Sequence, residues 1–135
     1  MLITAGVMCL ALNIYHEARS EPLAGQIAVA EVVLNRVASP HFPDNVCDVV
    51  KQGEYVNDHP VKNRCQFSWW CDGKSDKPKD TVRWGEAINL AAAMSQKEFV
   101  DITEGALYYH ATYVSPSWAK HYKKTVKIDN HIFYR

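Results

Sequence analysis

Two glutamates have the type and setting to move a proton. Glu17 falls in the last turn of an apolar stretch that reads as a helix, where the helix dipole is negative and disfavours a second negative charge. That effect is worth about 0.3–1 kcal/mol, well under one pH unit, and burial against a second helix would push in the same direction. A carboxyl group kept protonated near neutrality is what a general acid needs to protonate a glycosidic oxygen. Position alone, however, favours an ordinary surface glutamate. Glu31 interrupts an otherwise apolar run from Gly25 to Val37. It reads as the base or electrostatic partner that glycoside chemistry pairs with an acid. It reads equally as a polar stripe with Asn35, four residues on, hydrogen-bonded to a neighbouring loop. Glu21, beside Pro22, reads as the organiser of a turn.

Other chemistries fit less well. His16-Glu17 opens like a zincin motif, but Ser20 stands where the second histidine is needed. His110, His121 and His131 lack zinc spacing, and no Cys-x-x-Cys pair occurs, so no metal is expected. No Gly-rich phosphate loop is present either, and no cofactor is expected. A cysteine amidase using Cys65 or Cys71 with His110 is disfavoured but stays open. Cys9, inside the apolar first helix, reads as a buried free thiol. Cys47, Cys65 and Cys71 lie in loop-rich stretches and leave room for one disulfide in an oxidising compartment. The aromatic residues suit a carbohydrate. Phe67, Trp69, Trp70, Tyr108, Tyr109, Tyr113 and Trp118 gather in one long loop and around one strand, interleaved with Asn63, Gln66, Ser68 and His110. About half of them serve as core on the simpler reading, and Tyr108 and Tyr109 must face opposite sides of a strand, so at most one lines a cleft.

The elements that must position these residues follow from periodicity. A first helix is expected from about Ile3 to Ser20, ended by Pro22. A second, from Gly25 to about Val37, is apolar nearly all round and therefore central. Asp44 caps a short third helix through Val50, and Asp80 a fourth reaching about Phe99. Gln52–Lys79 reads as a long irregular stretch, of the kind that is usually functional. Strands are expected over Gly105–Ala111, Thr125–Ile128 and His131–Tyr134, with Asp129-Asn130 as a two-residue hairpin turn. Helices followed by a small antiparallel sheet make an α+β domain.

Composition bounds the rest. The 135 residues make one domain, residues 1–135. Hydrophobic content of 47% and charged content of 22% exclude a disordered or fibrous chain. Fifteen basic and fifteen acidic side chains give zero net charge, which argues against a nucleic-acid binder. The halves differ: residues 1–67 carry 5 basic and 7 acidic groups, and residues 68–135 carry 10 and 8. The lysines from Lys120 to Lys127 form a local basic tail, read as a solvated face. Met1–Leu12 is apolar but too short to span a bilayer and lacks the basic start and cleavage site of a signal peptide. No stable membrane insertion is expected, and the domain is expected to be a monomer.

Several ordered motifs carry a resemblance. Glu17-Ala18-Arg19-Ser20-Glu21-Pro22, then Gly25 to Val37, then Cys65-Gln66-Phe67-Ser68-Trp69, Gly105 to His110, Pro116-Ser117-Trp118-Ala119 and His131 to Arg135 closely resemble the spore-cortex-lytic, SleB-like cell wall hydrolase family. The resemblance covers the chain from about residue 10 to its end. It implies a mostly helical, lysozyme-related lytic transglycosylase fold with a small antiparallel sheet beside the cleft. It implies cleavage of the peptidoglycan glycan strand between N-acetylmuramic acid and N-acetylglucosamine, with Glu17 as the acid. Gln66, Phe67, Ser68, Tyr109, His110 and Trp118 are then expected at the substrate, with Glu31 as the second candidate catalytic carboxylate. One departure is Asp129, where the family pattern has Gly, so the hairpin there is expected to be tighter or differently twisted. The resemblance also implies action on the bacterial wall, periplasmic or extracellular. A bare catalytic domain without a signal peptide reads as a departure from the spore members and looks like a phage endolysin made in the host cytoplasm and released through a holin. An amidase cutting the stem peptide and a non-catalytic wall-binding module are the competing readings.

Overall fold

Thr4 starts the first helix by accepting the Val7 N–H at 3.1 Å, which satisfies one of the donors a helix start leaves open. In the computed structural model, which describes residues 3–96 and 100–135, this helix, α1, runs Ala5–Ala18. Leu10, Ala11 and Ile14 on it are fully buried. Helix α2, Leu23–Ala38, begins directly after Pro22, two residues earlier than its apolar pattern predicts. Ala28, Val29, Ala30, Val32 and Val33 have no exposure at all, which makes α2 the central helix its composition requires. Helix α3, Val46–Val50, is capped by Asn45, whose side chain accepts the Asp48 N–H at 2.9 Å; Asp44 does not serve. Helix α4, Thr81–Gln96, does start at Asp80, which accepts the Arg83 N–H at 3.1 Å. The last residues expected for it, up to Phe99, lie outside the described residues. The four helices bury one core that includes Val7, Leu10, Ile14, Ala30, Val33, Val49, Ala91 and Met94.

The stretch from Gln52 to Lys79 is more ordered than its sequence suggests. Strands β1, Gly53–Val56, and β2, His59–Cys65, pair antiparallel. Asn57 and Asp58 between them both take left-handed backbone, at φ 51° and 64°, as the two-residue turn of a right-twisted hairpin demands. The hairpin went unseen because its strands are mostly exposed, so no apolar alternation marks them. Gly53 is needed for closeness: a Cβ there would stand 2.8 Å from the Arg64 carbonyl oxygen. A single 3-10 turn, Ser68–Cys71, follows.

The second sheet matches expectation in its C-terminal part. Strands β3, Tyr108–Ala111, β4, Lys124–Ile128, and β5, His131–Tyr134, form an antiparallel sheet in the order β3-β5-β4. Asp129 and Asn130 make the turn between Ile128 and His131. Asp129 sits at φ 50°, a left-handed conformation that glycine takes freely and that Asp tolerates better than most residues. Phe133 packs with Ala28, Val32 and Ala106, fixing the sheet to α2. The described residues form an α+β domain of helices with two small antiparallel sheets.

All four cysteines are bonded: Cys9 to Cys47, with Cα atoms 5.3 Å apart, and Cys65 to Cys71, at 6.1 Å. This corrects the expectation that Cys9 is a free thiol. Burial in an apolar helix is common to free and bonded cysteines, and only the approach of α3 to α1 distinguishes them. It also closes the cysteine-amidase route, since Cys65 and Cys71 hold each other.

Candidate active site

Glu17 occupies the end of α1, where the helix stops at Ala18 and the chain folds back through the Glu21 N–H to the Ala18 carbonyl at 2.9 Å. It is half-buried and lines three cavities of about 360, 550 and 330 Å³. The three cavities therefore adjoin at Glu17. The Tyr109 hydroxyl donates to Glu17 Oε1 at 2.5 Å. Tyr109 itself is held by β5, its ring edge-on to His131 at 5.2 Å and tilted against Phe133 at 5.6 Å. Burial raises the Glu17 pKa above its ordinary value of 4.5, and the Tyr109 hydroxyl and the Arg36 charge only partly offset that. The Tyr109 pKa is pushed well above 10 by burial and by Glu17 beside it, so its proton stays in place as a donor. The arrangement sets a carboxyl group whose burial favours the protonated form in a solvent-accessible groove, the direction a general acid requires.

The first cavity has an aromatic wall. Tyr108 stacks on Tyr122 at 4.1 Å, and Trp118 lies 6.0 Å from Tyr108 and 6.1 Å from Tyr122. Tyr108 and Tyr109 both line it, contrary to the expectation that only one could. Strand β3 is at the edge of its sheet, and residues from both of its faces reach this cavity. Gln66 and Phe67 line the same cavity, and Ser68 lines the second one. Their loop is closed by Cys65–Cys71 and fastened to α1: Trp69 Nε1 donates to Asn13 Oδ1 at 2.9 Å, and its ring stacks on His16 at 4.6 Å. His110 lines none of the three cavities. Its Nε2 lies 2.8 Å from the Tyr134 hydroxyl and its ring stands 5.7 Å from Trp118, which places it behind the wall.

Glu31 is buried and lines none of these cavities. Burial, with Asp101 nearby, pushes its pKa up to about 7. Asn35, on the same stripe of α2, donates to Asp101 Oδ2 at 2.8 Å and to the Ala106 carbonyl at 3.0 Å. The stripe thus fastens the turn that leads into β3. Glu21 ties the end of α1 to the β4–β5 turn, accepting from Asn130 Nδ2 at 3.1 Å with His131 Nδ1 at 3.3 Å.

Arg36 is the residue that sequence reading passed over. It is 5% exposed, lines the first cavity with Glu17, and donates from Nε to the Leu107 carbonyl at 2.7 Å. Its guanidinium lies 5.0 Å from the Phe42 ring centre, 5.3 Å from Phe67 and 5.6 Å from Tyr108. The available signal was a charged residue in the last turn of a helix otherwise too apolar to face water.

Residues 20–134 match the family model described as Cell Wall Hydrolase. The chain is 34% identical over 130 residues to the spore cortex-lytic enzyme of Bacillus subtilis strain 168, covering 94% of this chain and 36% of that protein. It is 54% identical over 44 residues to the spore cortex-lytic enzyme of Halalkalibacterium halodurans, covering 33% of this chain and 13% of that one. The chain thus spans about a third or less of these relatives. Two solved structures align over 99% of the chain: the catalytic domain of the germination-specific lytic transglycosylase SleB from Bacillus anthracis, at 29% identity, TM-score 0.69 and 97% of that chain, and the catalytic domain of Bacillus cereus SleB, at 30%, 0.65 and 93%. With a family model matched over most of its length and SleB catalytic domains superposing on nearly all of it, the chain belongs to the cell wall hydrolase family of SleB type.

Proposed function

We propose that this domain cleaves the peptidoglycan glycan strand between N-acetylmuramic acid and N-acetylglucosamine as a lytic transglycosylase, with Glu17 as both acid and base. The observation that carries the reading is the half-buried Glu17 side chain where three cavities adjoin, with burial raising its pKa and the Tyr109 hydroxyl on its carboxyl group. In the first step Glu17 gives its proton to the bridging oxygen as the bond from that oxygen to the muramyl C1 breaks. The Tyr109 hydroxyl and the Arg36 charge favour the carboxylate left behind. In the second step this carboxylate takes the proton of the muramyl 6-hydroxyl as its oxygen closes on C1. Water is not consumed, and Glu17 returns to its starting state.

Closure by the 6-hydroxyl rather than hydrolysis is supported by the likeness to a SleB catalytic domain described as a lytic transglycosylase, although Asp72 and Asp76 also line the second cavity with Glu17. Glu21 is engaged by Asn130 and His131, Asp72 Oδ1 accepts the Lys74 N–H at 2.8 Å, and Glu31 lies outside the cleft. On this reading Glu31 is a buried structural carboxylate, Gln66, Phe67, Ser68, Tyr109 and Trp118 meet the strand, and His110 supports Trp118. The SleB structures are of catalytic domains, which supports the activity residing in a piece of this size. Two disulfides suit an oxidising site of action at the wall. Action as a monomer, and release through a holin as for an endolysin, belong to the same proposal.

Mass spectrometry of fragments released from purified peptidoglycan tests the reaction. Anhydro-muramyl ends are expected, absent with Glu17→Gln. Reducing muramyl ends would make the enzyme a lysozyme-type muramidase, free stem peptides an amidase, and retention on the wall without release a binding module.

A further inference from the structure

We infer that Arg36 is a substrate-binding residue that holds an amide carbonyl oxygen of the glycan strand in the first cavity, an inference that rests on the glycosidase reading. The guanidinium carries five N–H donors, and only Nε is committed, to the Leu107 carbonyl at 2.7 Å. Nη1 is buried with no hydrogen-bond partner. Among the described residues no carboxylate stands at ion-pair distance from it. A buried cation left so poorly matched is costly unless something else completes it. The rings of Phe42, Phe67 and Tyr108 supply part of what is missing, but rings accept no hydrogen bond of ordinary strength. The cavity of about 360 Å³ that Arg36 shares with Glu17 is where the remaining acceptor would come from.

The chemistry of that acceptor is constrained. Near the scissile bond the strand is uncharged, and its strongest acceptors are amide carbonyl oxygens: the acetamido groups of the sugars, and the lactyl amide where a stem peptide is attached. An acetamido group also brings a methyl that the rings of Phe67 and Tyr108 can cover. Gln66, in the same cavity, offers both a donor and an acceptor to the amide. A charged donor so placed would fix which face of the sugar meets Glu17, because the Leu107 bond holds the guanidinium in one orientation.

Initial-rate kinetics on three soluble strand preparations test this: intact, N-deacetylated, and stripped of peptide with the freed lactyl carboxylate reduced to an alcohol, since a carboxylate would itself serve Arg36. The wild type is expected to lose about tenfold in kcat/KM when the amide that seats at Arg36 is removed, and which preparation shows the loss identifies that amide. Arg36→Met is expected to be about tenfold slower on intact strands and to lose nothing further on that same preparation. Equal losses in wild type and variant, or no loss in the wild type on either stripped strand, overturn the assignment. If the wild type cleaves none of the three, the glycosidase reading falls and takes this inference with it. If Arg36→Met does not fold, the ¹⁵N signals of the Arg36 guanidinium are followed in folded Glu17→Gln, which retains Arg36. They should move on adding intact strands and not the preparation lacking the amide; no movement with intact strands overturns the assignment.

Discussion

Replacing Tyr109 by Phe deletes one oxygen from the wall of the cleft and leaves the ring against His131 and Phe133. What is lost is the hydrogen bond to Glu17 Oε1. That bond is of the ordinary kind, about 0.5–1.5 kcal/mol, while Glu17 is protonated, and charge-assisted, about 1.5–3 kcal/mol, once the proton has left. The difference, roughly 1.4 kcal/mol, stabilises the carboxylate, so its loss raises the Glu17 pKa by about one pH unit. The same energy disappears from a transition state in which Glu17 is giving its proton up, so the plateau rate falls about tenfold. The assay is kcat/KM on solubilised glycan strands across roughly pH 4 to 9, where the alkaline limb for free enzyme reports the acid. The variant should be slower at its plateau yet keep its activity to higher pH than the wild type does. A slower enzyme with an unmoved limb would mean that Tyr109 only supports the fold. A limb displaced downward would refute the electrostatic account of Glu17 altogether.

Other outcomes follow from the buried acids and the disulfides. The folded-state pKa of Glu17 lies above 4.5, so the stability associated with its protonated form is present in acid and lost as pH rises through the folded value. Glu17→Gln should therefore melt with the wild type near about pH 4 and above it near about pH 8, while being inactive; equal melting at both would remove the case for a raised pKa. Glu31→Gln should gain stability in the same pH window but keep full activity. The displacement from 4.5 to about 7 sets a ceiling of ~3 kcal/mol on that gain at alkaline pH, which solvent screening lowers. Loss of wall lysis in a folded Glu31→Gln would return Glu31 to the machinery. Cys9 and Cys47 are 38 residues apart and Cys65 and Cys71 only 6, so loop-closure entropy gives about 4 kcal/mol for the first bridge and about 2 for the second. Paired Ser substitutions should accordingly lower the denaturant midpoint more at Cys9–Cys47, and lower lysis more at Cys65–Cys71, whose loop carries Gln66 to Ser68. The opposite order in either measurement would count against that division.

What could be read from the residues divides along a physical line. The helices and the C-terminal hairpin were legible because their signals are local: apolar periodicity, the Asp80 cap, the Asp129-Asn130 turn. Glu17 was legible as a candidate from its place at a helix end, although position alone could not raise it above a surface glutamate. The β1–β2 hairpin was not legible, since exposed strands carry no alternation and Asn57-Asp58 is a weaker turn signal than Asn-Gly. The pairing of Cys9 with Cys47 depends on how α3 lies against α1, which no single segment encodes.

Arg36 and Glu31 sharpen the same point, because both are charged interruptions of one apolar helix and sequence reading gave its attention to Glu31. On a central helix every polar side chain must end at some partner, and the type of residue does not say which. Glu31 and Asn35 face the turn from Asp101 to Ala106, whereas Arg36, one residue further round, reaches the cleft. A rotation of about 100° per residue separates a structural stripe from a catalytic wall. A second charged residue on such a helix is therefore as strong a candidate as a plausible carboxylate. The packing that decides between them here is the docking of β3 against α2, which puts the Leu107 carbonyl under Arg36 Nε and the Tyr109 hydroxyl on Glu17.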